Sequence, residues 1–303
     1  MLNRSRSLCF ASAMLLAGTP WCAAVIIRGG NGTGNTTSPT IAGGAPANVT
    51  GWANVGSVGN GSVVYLGNGW ALTAAHVDRS TPVNFGGIDY ATDQVQRLHE
   101  PGSATLFADL VMLHLSTAPN INPLTLALTS PTILDTVTII GYGLNRDPNL
   151  TYYKSDWSVT TQNAIPPYAH SGYLYAAGNT KRWGTNLVSG GNTIVDIKFG
   201  KTIAFSSTFD AIGGTGNNEG MVADGDSGGA AFVGSDTLAG ILNAKLTYTN
   251  QPNGTAIFGN QFYMVDIASY RPEIITIMPE PSSLLVLGGM LFSAFLGRRR
   301  RTA

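Results

Sequence analysis

Cysteine is nearly absent. The 303 residues contain two, Cys9 and Cys22, both within the first 24. The rest of the chain has no disulfide framework, no cysteine-based metal site and no thiol nucleophile. Charge is also sparse, with charged residues making up 11% of the chain. All 17 acidic residues lie within 25–281, whereas six of the 17 basic ones sit in the two ends, so the body is acidic by about six charges. That balance argues against nucleic acid as a partner, since phosphate neutralisation needs a basic face. The body also lacks long helical periodicity. Only 267–278 has the pattern of a short terminal helix, with Pro272 tolerated in a first turn.

The two ends read as processing segments. Residues 1–24 carry Arg4 and Arg6, then an apolar stretch, then Cys22-Ala23-Ala24 as small residues at a cleavage point. That order is a signal peptide rather than a buried helix. At the far end, Met278-Pro279-Glu280-Pro281 leads into an uncharged, mostly apolar run over 282–297, closed by four arginines at 298–301. The run is slightly short for a transmembrane helix, which takes about 20 residues. The arginines would hold the extreme C-terminus on the cytoplasmic side. Both ends therefore place the body outside the inner membrane leaflet.

Between them, residues 29–62 are rich in Gly, Asn, Thr and Ser, and 25–40 is expected to be a flexible leader or propeptide. Short β-type segments follow at 62–66, 70–73, 110–115, 136–142, 158–161, 172–176, 193–199, 202–206, 230–233, 238–242 and 262–267. Separated by Gly, Asn, Asp and Pro, they predict an all-β barrel or sandwich. The stretch from 145 to 200 is long, polar and aromatic in patches. Its Trp157, Tyr168 and Trp183 are read as packing residues before substrate contacts.

Three segments carry chemistry. Leu72-Thr73-Ala74-Ala75-His76-Val77 ends an apolar strand. Ala108-Asp109-Leu110-Val111-Met112-Leu113 opens another on an aspartate. Gly225-Asp226-Ser227-Gly228-Gly229 is a glycine-rich turn holding a serine. A serine hydroxyl attacks at neutral pH only if an imidazole takes its proton, and a buried carboxylate must fix that imidazole's tautomer. Glycines beside the serine let backbone N–H groups reach the reacting carbonyl; the N–H groups of Gly225 and Ser227 are the candidate oxyanion hole. Taken singly, His76 reads as a core histidine, Asp109 as a turn residue and Ser227 as part of a glycine turn. The serine motif with the other two in order outweighs those readings.

These segments resemble the trypsin-like, chymotrypsin-fold serine proteases. The resemblance spans roughly 41–275 and extends weakly to Gly141-Tyr142-Gly143 and Leu238-Ala239-Gly240-Ile241. It implies two antiparallel six-stranded β-barrels, about 41–130 and 131–277, with the active site between them. It also implies His76, Asp109 and Ser227 as the triad, an acyl-enzyme on Ser227, and no metal or cofactor. Met221 stands at the family's specificity-pocket base, with Asn243 and Lys245 on the cleft strand, which together imply a preference other than Lys or Arg. The family's new N-terminus pairs with the aspartate before the nucleophile, here Asp226. Ile41, in Ile41-Ala42-Gly43-Gly44, is the first candidate for that terminus and Val25 the second; the third alternative is internal pairing of Asp226 with no zymogen.

The tail over 278–303 resembles the PEP-CTERM sorting signal of Gram-negative bacteria. That resemblance implies cleavage by an exosortase-type enzyme and release to the cell surface or extracellular matrix, after transient anchoring in the inner membrane. The plain alternative is a C-terminal membrane anchor. The functional expectation is a secreted serine endopeptidase acting on proteins or peptides. A catalytically silent binding or matrix protein and an esterase-like acyl hydrolase are the alternatives.

Overall fold

The computed structural model describes residues 23–39 and 50–278. The signal segment up to residue 22, Ile41 and the sorting tail lie outside them. Among the described residues no helix is long and apolar enough to cross a membrane.

Apolar alternation and frequent glycine turns produce two curled antiparallel sheets. Ahead of both, β1 (Ala23–Ile27) runs along the molecule. The first sheet holds β2 (Val55–Val58), β3 (Gly61–Gly67), β4 (Trp70–Thr73), β5 (Val83–Phe85), β6 (Ile88–Tyr90), β7 (Thr92–His99) and β8 (Phe107–Leu115), in the order β6-β5-β2-β3-β4-β8-β7. The second holds β9 (Thr125–Leu126), β10 (Thr136–Tyr153), β11 (Val159–Thr160), β12 (His170–Asp196), β13 (Lys201–Thr208), β15 (Ala230–Val233), β16 (Thr237–Leu246), β17 (Thr255–Ile257) and β18 (Gln261–Asp266). Between β13 and β15 in sequence, β14 (Gly220–Ala223) pairs with β1. The all-β, two-barrel architecture stands. The strands number seven and nine rather than six and six, because short strands such as β6, β9, β11 and β17 extend the sheets.

Three apolar clusters hold this together. One fills the first barrel around Val63, Tyr65, Phe85 and Leu113. Another fills the second around Val137, Phe205, Phe209 and Phe262. The third joins the barrels, with Leu66, Leu72, Leu110 and Met112 from the first meeting Ile140, Phe232 and Leu238 from the second. Fully burying a side chain of this size contributes about 1.5–3 kcal/mol. The helix α1 (Ile267–Ile277) closes the joint by burying Ile267, Tyr270 and Ile274. It starts ahead of Pro272, at a cap where Asp266 accepts from the Ser269 N–H (3.2 Å) and hydroxyl (2.6 Å).

One expectation is corrected, and the form of 145–200 is filled in. Residues 25–39 are no flexible leader: β1 pairs with β14 through Ile26↔Met221 and Ile27↔Gly220, and Val25, Ile26 and Ile27 are buried. Arg146 holds the segment that follows, donating to the carbonyls of Ile27 (2.8 Å), Gly29 (2.9 Å) and Gly30 (2.7 Å). The stretch 145–200 is mostly strand, because β10 and β12 form one long hairpin with bulges near Asn145 and between Arg146 and Leu150. Trp183 packs against the inter-barrel cluster, Trp157 stacks on His170 and Tyr168 meets Tyr152 edge-on.

Ser62 ties the barrels at the centre. Its hydroxyl donates to the Gly225 carbonyl (2.6 Å) and accepts from the Tyr142 N–H (2.8 Å), while its own N–H donates to the Ser227 carbonyl (2.8 Å). A buried polar group left without its partner costs about 1–3 kcal/mol. Ser62→Ala is therefore expected to lower unfolding stability by about that amount, measured by urea titration.

Candidate active site

Each of the three predicted residues is placed by its own strand end. Chain leaves β4 at Thr73 and turns through Ala74-Ala75, with the Val77 N–H returning to the Ala74 carbonyl (3.1 Å). Arg79 caps that turn through the carbonyls of Ala75 (2.8 Å) and Val77 (2.7 Å). Asp109 lies on β8, two residues before Val111, the partner of Thr73, so it projects past the end of β4 over the His76 turn. Ser227 sits in the turn from β14 to β15. Gly228 must be glycine there: its φ is +85°, and a Cβ would lie 2.1 Å from the Ser62 carbonyl oxygen.

These placements bring the three side chains into one line. His76 Nδ1 is 2.6 Å from Asp109 Oδ2, and His76 Nε2 is 2.8 Å from Ser227 Oγ. The His76 backbone N–H also donates to Asp109 Oδ1 (2.9 Å). Asp109 is 0% exposed, and a buried carboxylate persists as an ion only when surrounded by donors. With Nδ1–H donating to that carboxylate, Nε2 presents its lone pair to the serine hydroxyl. Around the turn, the N–H groups of Asp226, Gly228 and Gly229 are bound to the carbonyls of Ala223, Leu242 and Asp226. Those of Gly225 and Ser227 have no acceptor among the described residues, which leaves the pair free for a carbonyl oxygen.

Other expected site residues are placed differently. Asn243 is buried, and its Nδ2 donates to Asp109 Oδ2 (2.7 Å), a support for that carboxylate. Met221 is 0% exposed and belongs to the second barrel's core, drawn there by the pairing of β14 with β1. Lys245 pairs with Asp224, its ammonium also donating to the Tyr175 hydroxyl (3.2 Å). Ile41 lies outside the described residues. The Val25 backbone N–H is among the groups that pull the Asp226 pKa down.

Asp226 is fully buried. Burial pushes its carboxyl well above the carboxylate range, against the opposing pull of the Ala223 and Val25 N–H groups. Its Oδ2 accepts from the Ala223 N–H (2.9 Å), and Oδ1 is without a hydrogen bond among the described residues.

Phe199 escaped the sequence reading. It sits at the tip of the β12–β13 hairpin, 43% exposed, with its ring 5.7 Å from that of His76. Arg97 fixes the tip by donating to the carbonyls of Phe199 and Ala108. Thr202, just beyond, accepts from the Asp109 N–H (2.9 Å). An apolar residue before a glycine is the only signal in sequence, and such pairs are common.

Among the described residues no cluster of His, Cys, Asp or Glu has the arrangement to hold a metal ion. A nucleophile, a base, an orienting carboxylate and two free N–H donors are the parts of a serine acyl-transfer centre.

Comparison with known proteins agrees on the family. The family model described as Trypsin matches residues 41–267, three quarters of the chain, and the chain belongs to the Trypsin family. Among solved structures it is similar to neuropsin, a serine protease expressed in the limbic system of mouse brain (17% identity, 76% of this chain and 96% of that chain, TM-score 0.49). It is also similar to the Rv3671c protease in an inactive form (11%, 78% and 93%, TM-score 0.45) and to a mutant of human heparin binding protein (12%, 77% and 94%, TM-score 0.48). No curated protein matched the sequence.

Removing the Asn243 amide strips one donor from a buried carboxylate. Hydrogen bonds to charged groups contribute about 1.5–3 kcal/mol, and each 1.4 kcal/mol is about tenfold in rate. Asn243→Ala is expected to slow acylation of Ser227 by roughly ten- to a hundredfold, with Asn243→Ser recovering part of the loss, measured by stopped-time labelling with an organophosphorus probe.

Proposed function

We propose that this chain is an exported serine endopeptidase working through an acyl-enzyme on Ser227. The observation that carries this reading is the unbroken relay from Asp109 through His76 to Ser227. In it, His76 Nε2 takes the Ser227 proton as Oγ attacks the substrate carbonyl. The oxygen gains negative charge and receives the N–H groups of Gly225 and Ser227. His76 is then an imidazolium, stabilised by Asp109, and returns the proton to the leaving amine. Water, activated by the same imidazole, releases the acyl group and restores the serine.

The influence of the Val25 N–H on Asp226 supports a maturation step at this terminus. Cutting after Ala24 turns the Val25 N–H into an ammonium facing the buried Asp226 carboxyl, and supplies the counter-charge that carboxyl lacks. Ordering the Asp226 carboxyl orders the turn that carries Gly225 and Ser227. The motif order of the N-terminal segment supports removal at that bond during export. The tail beginning at Pro279-Glu280-Pro281 supports a sorting step by an exosortase-type enzyme, with the protease anchored in the inner membrane and then released to the cell surface or matrix of a Gram-negative bacterium.

A fluorophosphonate applied to the exported protein is expected to label Ser227, with labelling lost in Ser227→Ala; a folded protein that takes no label refutes the reading. Mass analysis of the same sample is expected to find an N-terminus at Val25. A start at Ile41 would assign activation to a second cut. The sign of the Asp226 shift gives a further check. A carboxyl whose folded pKa is raised costs stability as pH rises above its unfolded value near 3.8. In a chain that retains residues 1–24, Asp226→Asn is therefore expected to raise stability at neutral pH and to have no effect below that value. In the processed chain the same substitution destabilises, because it removes the ammonium's partner. Denaturant curves at two pH values separate the cases.

A further inference from the structure

The tip of the β12–β13 hairpin leaves its own barrel. The last strand pair of the hairpin is Asp196↔Lys201, and residues 197–200 cross from there to β8 of the first barrel. Three consecutive residues of β8 meet the crossing segment. The Phe107 carbonyl lies so close to Gly200, at a φ of +137°, that a Cβ would stand 1.9 Å from its oxygen. The Ala108 carbonyl shares the Arg97 guanidinium with the Phe199 carbonyl. The Asp109 N–H donates to the Thr202 hydroxyl (2.9 Å). The tip is therefore registered on the stretch that carries the orienting carboxylate, and Phe199 comes to rest with its ring 5.7 Å from that of His76.

His76 sits on a turn rather than in a strand, and its ring makes one hydrogen bond at each nitrogen. The bond to Ser227 lapses during the reaction. Once Ser227 is acylated, its Oγ has no proton to share. The imidazole is then held by Asp109 alone, and a change of rotamer would carry it away from the acyl group. At that stage it must still activate the water that releases the acyl group. An aromatic neighbour supplies an attraction beyond plain burial. Phe199 is 43% exposed while the His76 side chain is 12% exposed, so the phenyl ring meets the solvent that the imidazole is spared.

Building on the assignment of Ser227 as nucleophile, we propose that Phe199 is a positioning residue that keeps the His76 imidazole in place through the acyl-enzyme stage, with Arg97 as its anchor. Phe199 acts on the imidazole and not on the substrate. Its effect therefore falls on deacylation, when His76 has one hydrogen bond, more than on acylation, when it has two. Arg97 acts through Phe199, because its guanidinium fixes the backbone from which the phenyl ring projects.

The test uses the full-length exported protein, its active sites counted by fluorophosphonate labelling. The substrate is p-nitrophenyl acetate, whose acyl group has no peptide to reach beyond the nucleophile. The nitrophenol burst gives the acylation rate and the steady state gives deacylation. In Phe199→Ala the ratio of deacylation to acylation is expected to fall roughly three- to tenfold. Arg97→Ala is expected to lower the ratio similarly, the double variant no further than the single ones, and Phe199→Tyr to return it to within about twofold of the parent. Equal loss in both steps overturns the proposal, because a damaged fold or triad slows both. An unchanged ratio in Phe199→Ala overturns it as well, as does a loss confined to peptide anilides, which makes Phe199 a substrate contact instead. Absence of labelling at Ser227 overturns the nucleophile assignment and the proposal with it, whereas labelled protein with the parent ratio in Phe199→Ala overturns the proposal alone.

Discussion

The site depends on one buried carboxylate. Asp109 belongs to the first barrel, yet its donors come from both: the ring and backbone of His76 from the turn after β4, and the amide of Asn243 from β16 of the second barrel. Its own N–H is held by Thr202 of the second barrel. An isolated buried anion is costly enough that it would neutralise instead. The barrels must therefore be docked for Asp109 to keep the donors that hold it against His76. Docking and assembly of the relay are one requirement, met by the apolar joint around Leu72, Met112, Ile140 and Phe232 and by the Ser62 hydrogen bonds across it.

The same economy explains how the described residues are tied together without disulfides. The described body contains no cysteine, and long-range ties come from backbone carbonyls gathered by buried arginines and amides. Arg146 is the clearest case. It gathers carbonyls of residues 27, 29 and 30, and its guanidinium lies 3.8 Å from the Tyr173 ring centroid. Burial lowers its pKa, and the charge is retained because every direction around it offers an acceptor or a π face. The N-terminal segment is thereby fastened where Val25 meets Asp226.

Much of the site was legible in sequence because its parts are contiguous. His76, Asp109 and Ser227 each sit in a short motif whose neighbours are dictated locally: small residues at a tight turn, an apolar strand, glycines at positive φ. Asn243 and Lys245 were placed on the cleft strand and Met221 on no strand, and the partners of all three were not legible. What decides them is partner choice across the fold: a bulge on β16 near Asn243, the pairing of β14 with β1, and the reach of Lys245 to Asp224. Ile41 ranked ahead of Val25 on its likeness to the family's new terminus and lies outside the described residues, whereas the burial of β1 is a tertiary fact. The long β10–β12 hairpin was hidden by its own bulges, which break the period-two pattern on which strand reading rests. Phe199 has no local signature at all, since its place beside His76 is set by the hairpin's length and by Arg97.

The central claim is that Ser227 carries the substrate's acyl group through the relay from Asp109 and His76. The most direct measurement is a rapid acid quench of the enzyme during turnover of a peptide ester, followed by mass analysis of the peptide containing Ser227. The acyl mass is expected on Ser227 within the first turnover, approaching one group per active site, and absent from His76→Ala. Turnover of the ester with no adduct, or with the adduct on another residue, would contradict the assignment.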